Sequence, residues 1–270
     1  MIDSHCHLNF KAFKNDWRKV LKRSFEHGIT NIINIGSNYK TSERAVDIAK
    51  EFSQCYAAVG FHPIHIDDER FDPQKYSSLI RANSRIVKAI GETGFDYFYN
   101  EISKPQFKNK NYKEIQKNIF LEHLRLAKEF KLPVILHCRG EVNNPFGAYE
   151  DLLSVINSLL FLPKGVIHCF SANWSIAKKF LDLGFYIGFT GIITFKNCND
   201  YLLEVVKKAP LEKILIETDA PYLAPEPYRG QRCEPWHVKF TAQKIAEIKR
   251  IDLEKVIKQT IKNAKNLFKI

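Results

Sequence analysis

The feature that most restricts the fold of this chain is a regular alternation of short apolar runs with longer amphipathic segments. The apolar runs have the length of buried β-strands, and the segments between them carry apolar residues at helical spacing. Because parallel strands need a long crossover connection, this alternation indicates a parallel sheet. We predict eight strands, at Met1–His7, Ile29–Ile35, Cys55–Phe61, Ile86–Glu92, Pro133–Cys138, Gly165–Cys169, Phe185–Phe189 and Lys213–Thr218.

The amphipathic segments predict the crossover helices. We assign helices to Asp16–His27, Thr41–Phe52, Tyr112–Phe130 and Ser175–Leu183. Asp252 is a suitable N-cap for a C-terminal helix, and Pro235 suits the first turn of the helix before it.

Eight strand–helix units in one chain point to a closed (β/α)8 barrel, and 270 residues is an ordinary size for that fold. No linker or change of composition divides the chain, so we predict a single domain over residues 1–270. An open, doubly wound sheet is the alternative, but no GxGxxG pattern follows the first predicted strand.

Histidines and carboxylates recur where the predicted strands end, a pattern that one barrel mouth would bring together. His5 and His7 project to the same side of the first strand, because side chains alternate faces. A single histidine after an apolar run is more often a hydrogen-bonded core residue than a ligand. Six such groups buried without a cation would leave many polar atoms unsatisfied, so we predict a metal site. Its candidate ligands are His5, His7, Glu92, His137, His168 and Asp219.

Six ligands exceed the four of one tetrahedral site, so we predict two divalent metal ions. Glu92 is our candidate for the bridging carboxylate, since paired metals commonly share one. Cys6, Cys138 and Cys169 each stand beside a candidate histidine, and alternation should turn them toward the helices. The cysteine spacings contain no CxxC pair, which indicates reduced thiols.

The charge of the chain favours polyanionic partners. Lys and Arg number 41 against 30 Asp and Glu, a net charge of +11. Simple solubility is the competing explanation. No apolar run approaches the length of a membrane span, and Asp3, His5 and His7 interrupt any signal-peptide core. We therefore expect a cytoplasmic protein with no membrane partner.

Two long loops should lie at the mouth of the barrel, because each follows a strand. Aromatic and basic residues together suit base stacking and phosphate contact, although the aromatic rings are nearly as well explained as a packed cover over the mouth. The loop at Gly94–Asn111 carries Phe95, Tyr97, Phe98, Tyr99, Lys104, Lys108 and Lys110. The loop at Ala220–Glu234 carries Pro221, Pro225, Pro227, Arg229, Gly230 and Arg232.

The chain resembles, almost end to end, the TatD family of metal-dependent hydrolases within the amidohydrolase superfamily. The motifs that carry the resemblance are Asp3–Leu8, Val59–Pro63, Gly91–Asp96, Leu136–Arg139, His168–Ser171, Glu217–Leu223 and Arg229–Pro235. Thr93 stands where an aliphatic residue is usual, and Ala172 where a glycine often follows Cys-Phe-Ser. Neither position is a candidate ligand.

The resemblance implies a (β/α)8 fold and metal-dependent deoxyribonuclease activity, including 3′→5′ exonuclease action on single-stranded DNA. It implies metal ligands at the six positions named above. Family members are usually described as Mg²⁺-dependent, whereas the histidine-rich ligand set also suits Zn²⁺ or Mn²⁺. DNA is therefore the expected partner, and we favour a monomer.

We assign roles to the remaining polar residues as hypotheses. Asp219 is the expected proton acceptor for the attacking water, with Glu92 as the second catalytic residue, and Glu217 is expected on the opposite face of its strand. Substrate phosphate is expected at His62, Arg139 and Arg229, although strand-end residues also serve as supports for ligands. Structural roles are expected for His65, His123 and His237.

Two alternatives stay open. The same metal pair would also suit hydrolysis of an amide or ester, such as deacylation of D-aminoacyl-tRNA, whose substrate is again a polyanion. The other alternative is a non-catalytic module for nucleic-acid binding or protein export, in which the metal site would be vestigial. The complete set of six ligands argues against a vestigial site.

Overall fold

The computed structural model describes residues 1–98 and 111–270, and its centre is a sheet of eight parallel strands. The strands pair in chain order, and a bridge between Cys6 and Ala220 joins the last strand region to the first. The predicted (β/α)8 barrel is therefore confirmed. The strands are β1 (Ile2–Cys6), β2 (Asn31–Ile35), β3 (Cys55–Val59), β4 (Val87–Asp96), β5 (Val134–Arg139), β6 (Gly165–Ile167), β7 (Tyr186–Phe189) and β8 (Ile214–Ile216).

Helices connect successive strands and surround the barrel. The described ones are α1 (Trp17–Glu26), α2 (Tyr39–Glu51), α3 (Pro73–Ala82), α4 (Tyr112–Phe130), α5 (Gly147–Asn157), α6 (Trp174–Asp182), α7 (Asp200–Lys208), α8 (Val238–Lys249) and α9 (Leu253–Phe268). The bounds predicted for α4 are confirmed. Helix α2 begins two residues before its predicted start, because the Asn38 side chain accepts a hydrogen bond from the Thr41 amide and caps the helix there.

The core has two layers, as expected of a barrel. One layer lies between the strands and the helices, and the other fills the barrel interior. Leu267 and Phe268 of α9 join the interior layer together with Ile2, at the start of β1. Helix α9 thus covers the amino-terminal end of the barrel with apolar side chains, which leaves the polar strand ends at the opposite end.

Among the predictions about the ends of elements, two need correction and one is confirmed. Strand β4 continues to Asp96, so the loop predicted from Gly94 begins later in the chain. The side chain of Asp252 makes no capping hydrogen bond to α9, although the helix begins where predicted. Pro235 opens a 3-10 turn that leads directly into α8, as expected.

The aromatic residues at the start of the predicted mouth loop are packed rather than available for stacking. Phe95 and Tyr97 are 1% and 2% exposed, and the Tyr97 hydroxyl donates to Asp151. The cover interpretation is therefore correct for these two rings. Tyr99, Lys104, Lys108 and Lys110 lie outside the described residues. Within the described ranges, no helix is both long and apolar enough to cross a membrane.

Candidate metal centre

His5 and His7 of the first strand point their Nε2 atoms toward one another and toward Asp219. The two Nε2 atoms lie 3.2 Å apart, and Asp219 Oδ1 lies 3.2 Å from His7 Nε2 and 3.7 Å from His5 Nε2. His7 Nδ1 lies 2.9 Å from the Ile35 carbonyl oxygen, which only accepts, so Nδ1 carries the proton. The lone pair of His7 Nε2 therefore faces the centre, as in a metal-ligating histidine.

Asp3, near the start of β1, holds the segment that follows β8 and so helps to bring Asp219 to the histidines. Its carboxylate accepts hydrogen bonds from the backbone amide of Thr218 at 3.0 Å and from the Thr218 hydroxyl at 2.6 Å. The Asp219 amide in turn donates to the His5 carbonyl at 2.9 Å. Burial raises the pKa of Asp3 well above its usual range, although the hydrogen bonds from Thr218 oppose that rise. The sequence identified Asp3 only as part of a motif, with no role of its own in the site.

Glu92 lies at the middle of the site, with its two oxygens facing different groups. Oε2 lies 3.5 Å from His5 Nε2. On the other side, Oε1 lies 2.9 Å from His137 Nδ1, 3.5 Å from His62 Nε2 and 3.7 Å from His168 Nε2. This two-sided arrangement is the one that a bridging carboxylate requires.

Glu217 supports His168 from beneath, which contradicts the prediction that it faces away from the site. Its Oε1 accepts from His168 Nδ1 at 2.8 Å and from the Cys169 amide at 2.6 Å. Because β8 ends at Ile216 and Asp219 has φ +59°, strand alternation does not determine how these two side chains are oriented. Gly188 makes room for this carboxylate, since a Cβ there would lie 2.5 Å from Glu217 Oε1.

Asp96 is a further carboxylate of the site, and the sequence patterns assigned it no role. Its Oδ2 lies 2.9 Å from His137 Nε2, while His137 Nδ1 faces Glu92. Burial would lower the pKa of His137, but its hydrogen bonds to Asp96 and Glu92 raise that pKa to about 10. Continued alternation along β4 was the available signal, because residues 92 and 96 lie on the same face.

The cysteines follow the prediction in two of three cases. Cys6 and Cys138 are buried among the apolar residues between strands and helices. Cys169 is different: β6 ends at Ile167 and Cys169 has φ +46°, so strand alternation no longer applies. Its thiol lies 3.5 Å from the Thr190 hydroxyl, and burial and the Asp219 carboxylate raise its pKa. The described ranges contain all six cysteines, and each is a free thiol, as predicted.

The electrostatics of the site favour positive charge at its centre. Burial would raise the pKa of Glu92, but the imidazoles of His62, His168 and His5 hold it well below its usual range. Burial likewise opposes ionisation of Asp219, yet its contact with His7 and the charge of His168 lower its pKa. Both groups are therefore carboxylates at neutral pH.

The donor set fits a divalent metal ion. His5 and His7 direct their Nε2 atoms at the carboxylates, and burial, followed by the charge of His168, lowers the pKa of His5 to about 4. His5 Nδ1 is buried and has no hydrogen-bond partner in the described parts of the chain. Imidazole nitrogens and carboxylate oxygens converging within 4 Å are typical metal ligands. Groups with suitable spacing are His5–His7–Asp219, His5–His168–Glu217 and His62–Asp96–His137.

The three residues expected to contact phosphate have different surroundings. His62 is buried beside Glu92, and its Nδ1 accepts from the Ile64 amide, so its proton is on Nε2 and faces the site. Arg139 is exposed and its guanidinium lies 3.7 Å from the centre of the Phe98 ring. Arg229 is exposed and lies 3.8 Å from the centre of the Phe195 ring.

Other polar residues of the loops and strand ends have structural partners. Arg232 pairs with Asp16 and Glu234, away from the metal ligands. His123 Nε2 accepts from the Phe61 amide at 3.0 Å, which agrees with its expected structural role. Structural roles were also expected for His65 and His237. His65 Nδ1 lies 3.7 Å from Asp68, and His237 Nδ1 accepts a hydrogen bond from the Glu234 amide.

Known proteins resemble this chain along its whole length. A family model described as TatD related DNase matches residues 2–269. The "Uncharacterized metal-dependent hydrolase YabD" of Bacillus subtilis (strain 168) is 35% identical over 271 residues, covering 100% of this chain and 99% of YabD. The crystal structure of YjjV, a TatD homologue from Escherichia coli K12, is 28% identical and superimposes with a TM-score of 0.86, covering 100% of this chain and 98% of YjjV. An organophosphorus hydrolase mutant from Deinococcus radiodurans shares the fold, with a TM-score of 0.62 at 14% sequence identity. The match covers 99% of this chain and 92% of the hydrolase chain.

Proposed function

Because the chain belongs to the TatD family of metal-dependent hydrolases, we propose that its substrate is DNA and that it cleaves phosphodiester bonds as a 3′→5′ exonuclease on single strands. The observation that carries the proposal is the two-sided environment of Glu92, with nitrogen donors facing each of its oxygens. Paired metal ions joined by a carboxylate are the usual machinery for in-line displacement at phosphorus.

We assign two divalent cations to the site. His5, His7 and Asp219 lie on the Oε2 side of Glu92 and would hold one of them. His137 and His168 lie on the Oε1 side and would hold the other. Mg²⁺ follows from the family resemblance, whereas Zn²⁺ or Mn²⁺ follows from the histidine content.

When bound, the cations would lower the pKa of water and neutralise charge that develops on phosphate oxygens. Asp219 is the residue that would accept the proton of the attacking water, since its side chain is ionised and reaches the centre of the site. The Nε2–H group of His62 would donate a hydrogen bond to a phosphate oxygen, and Arg139 would bind the flanking phosphate with its guanidinium. Arg229 would contact the backbone further along the strand.

The net charge of +11 agrees with a polyanionic substrate. A cytoplasmic location and a monomeric state stay predictions. Hydrolysis of an amide or ester, with D-aminoacyl-tRNA as the first example, is the second activity that the donor set would support.

The test uses metal-stripped protein and single-stranded DNA labelled at either end, with Mg²⁺ or Mn²⁺ added back. We expect metal-dependent shortening from the 3′ end. Asp219→Asn should reduce turnover about 10²–10⁴-fold, as removal of a general base does. Asp182→Asn, at an exposed carboxylate at the end of α6, is the matched control and should behave as the native protein.

A native protein that binds metal yet leaves DNA intact would refute the nuclease proposal. Carbonyl substrates, D-aminoacyl-tRNA first, would then be assayed with the same variants. Shortening that persists in Asp219→Asn at the native rate would instead refute the role of Asp219.

A further inference from the structure

Two aromatic rings stand near the metal centre: Phe10 contacts a candidate ligand with its ring, and Tyr222 is bonded to another through its backbone. Phe10 stacks on the His7 imidazole, with ring centres 4.2 Å apart and an angle of 17° between the planes. The Tyr222 ring meets Phe10 edge to face, with centres 6.5 Å apart and an angle of 70°. The two rings therefore form a corner, which we call the aromatic corner, and one of its walls lies directly against His7.

The backbone that carries Tyr222 is held firmly. The Tyr222 amide donates to the Asp219 carbonyl at 2.9 Å, and the Cys233 amide donates to the Pro221 carbonyl at 3.0 Å. The Ala220 carbonyl accepts from the His7 amide at 2.7 Å. These bonds connect the residues before Tyr222 both to the first strand and to the far end of their own loop.

The ring of Tyr222 is exposed although its backbone is fixed. Tyr222 is 54% exposed, and it is the aromatic member of the large exposed hydrophobic side chains in the described ranges. Phe10 is partly exposed, although one of its faces is covered by His7. A rigid, partly solvated aromatic surface loses little conformational entropy when a flat ligand binds to it.

We propose that the aromatic corner binds the nucleobase adjoining the phosphodiester bond that is cleaved, an inference that rests on the proposed nuclease function. A base would stack on the open face of Phe10 and present its edge to Tyr222. Since Phe10 packs on His7, a base in the corner places the phosphate of its own nucleotide near the metal ligands. A base within a duplex is already stacked on its neighbours, so the corner selects unpaired ends.

This assignment differs from the stacking site that the sequence indicated. Phe95 and Tyr97, the first rings of the loop expected to stack bases, are buried and cannot take a ligand between them. The exposed stacking surface instead comes from the segment after β1 and from the tight turn after Asp219.

The experiment compares an intact single-stranded oligonucleotide with two others that each carry one tetrahydrofuran abasic residue, at the first or at the second position from the 3′ end. The measured quantity is the ratio of kcat/KM for the intact strand to that for the abasic strand. Affinity for all three strands is also measured by fluorescence anisotropy on metal-free protein, so that binding is measured without turnover. The variants are Tyr222→Ala, Tyr222→Phe and Phe10→Leu, with Leu160→Ala as an exposed apolar control beyond α5.

We expect native protein to prefer the intact strand by about 5- to 150-fold at one of the two positions, the range for one base–aromatic stack. Tyr222→Ala and Phe10→Leu should bring this ratio toward 1, while Tyr222→Phe, which keeps the ring, and Leu160→Ala should retain it. A native ratio near 1, or an equal loss on both strands in Tyr222→Ala, would overturn the aromatic corner and leave the nuclease activity standing. Base-dependent binding that responds to Tyr222→Ala, with no cleavage of either strand, would support the corner and refute the nuclease proposal.

Discussion

Replacement of Glu217 by glutamine isolates the contribution of a carboxylate that contacts a candidate ligand without itself facing the centre. Glu217 is buried, accepts from His168 Nδ1 at 2.8 Å and lies 3.3 Å from the Ser4 hydroxyl. A glutamine has the same shape, and its amide oxygen would still accept from His168. Its amide nitrogen would donate to Ser4. The fold should therefore be kept, while the negative charge is lost.

The expected magnitude follows from the effect of that charge on His168. Burial would lower the pKa of His168, but Glu217 makes the largest opposing contribution and that pKa is raised to about 9. A more basic imidazole is a stronger metal ligand, and removal of such a supporting partner typically costs 10- to 100-fold in metal affinity. At 1.36 kcal/mol for each factor of ten, the loss amounts to about 1.4–2.7 kcal/mol.

The assay is titration of metal-stripped protein with Mn²⁺ or Zn²⁺ by calorimetry, in parallel with thermal unfolding. Glu212→Gln, which removes an exposed glutamate next to β8, is the matched control and should bind as the native protein does. A Glu217→Gln protein that folds normally and binds metal within about twofold of native affinity would refute the argument that this carboxylate strengthens His168 as a ligand.

Three further predictions concern stability. Gly94→Ala should unfold the protein at a markedly lower temperature, because φ is +139° and the new Cβ would lie 2.1 Å from a carbonyl oxygen of β5; a midpoint equal to native would contradict this. His123→Leu should cost about 1–3 kcal/mol in urea unfolding, since the buried Phe61 amide loses its acceptor, and a neutral effect would refute that cause. The hydrogen bond from Arg232 lowers the pKa of Asp16 in the folded protein. The pair therefore stabilises the fold at pH values above the pKa that Asp16 has in the unfolded chain, and this stabilisation is lost as the pH falls through the pKa of Asp16 in the folded protein. Asp16→Asn should therefore lower stability by less than about 1 kcal/mol at neutral pH, with a difference from native that vanishes in acid, and a difference that grows in acid would contradict the pairing.

Local sequence patterns were sufficient to predict the fold and the convergence of the six candidate ligands at one end of the barrel. Eight apolar runs of strand length separated by amphipathic segments predict a parallel barrel. Strands and helices differ in the spacing of their apolar residues, so both can be identified from neighbouring residues alone. Once the barrel is accepted, polar residues at strand ends must meet at one mouth, since all parallel strands end on the same side. His5, His7 and Asp219 came together for that reason.

The partners of those ligands depend on segments far apart in the chain. Glu217 reaches His168 because β8 and β6 lie on either side of Gly188, whose missing side chain leaves the space. Asp96 reaches His137 because β4 continues past Glu92 and stays paired with β5. Alternation can show which face a side chain occupies, but it does not identify the hydrogen-bond partner, since partners depend on the spacing and register of neighbouring strands.

Alternation also fails beyond the strands, where the tertiary structure alone determines which way a side chain points. Cys169 and Asp219 have φ of +46° and +59°, conformations that reorient the side chain relative to an extended strand. Which aromatic rings are buried and which face the mouth was decided in the same way: Phe95 packs inside, while Tyr222 is held outward by hydrogen bonds of its turn. The local sequence thus determines periods and strand ends, whereas long-range packing determines the partners and exposure on which the chemistry of the site depends.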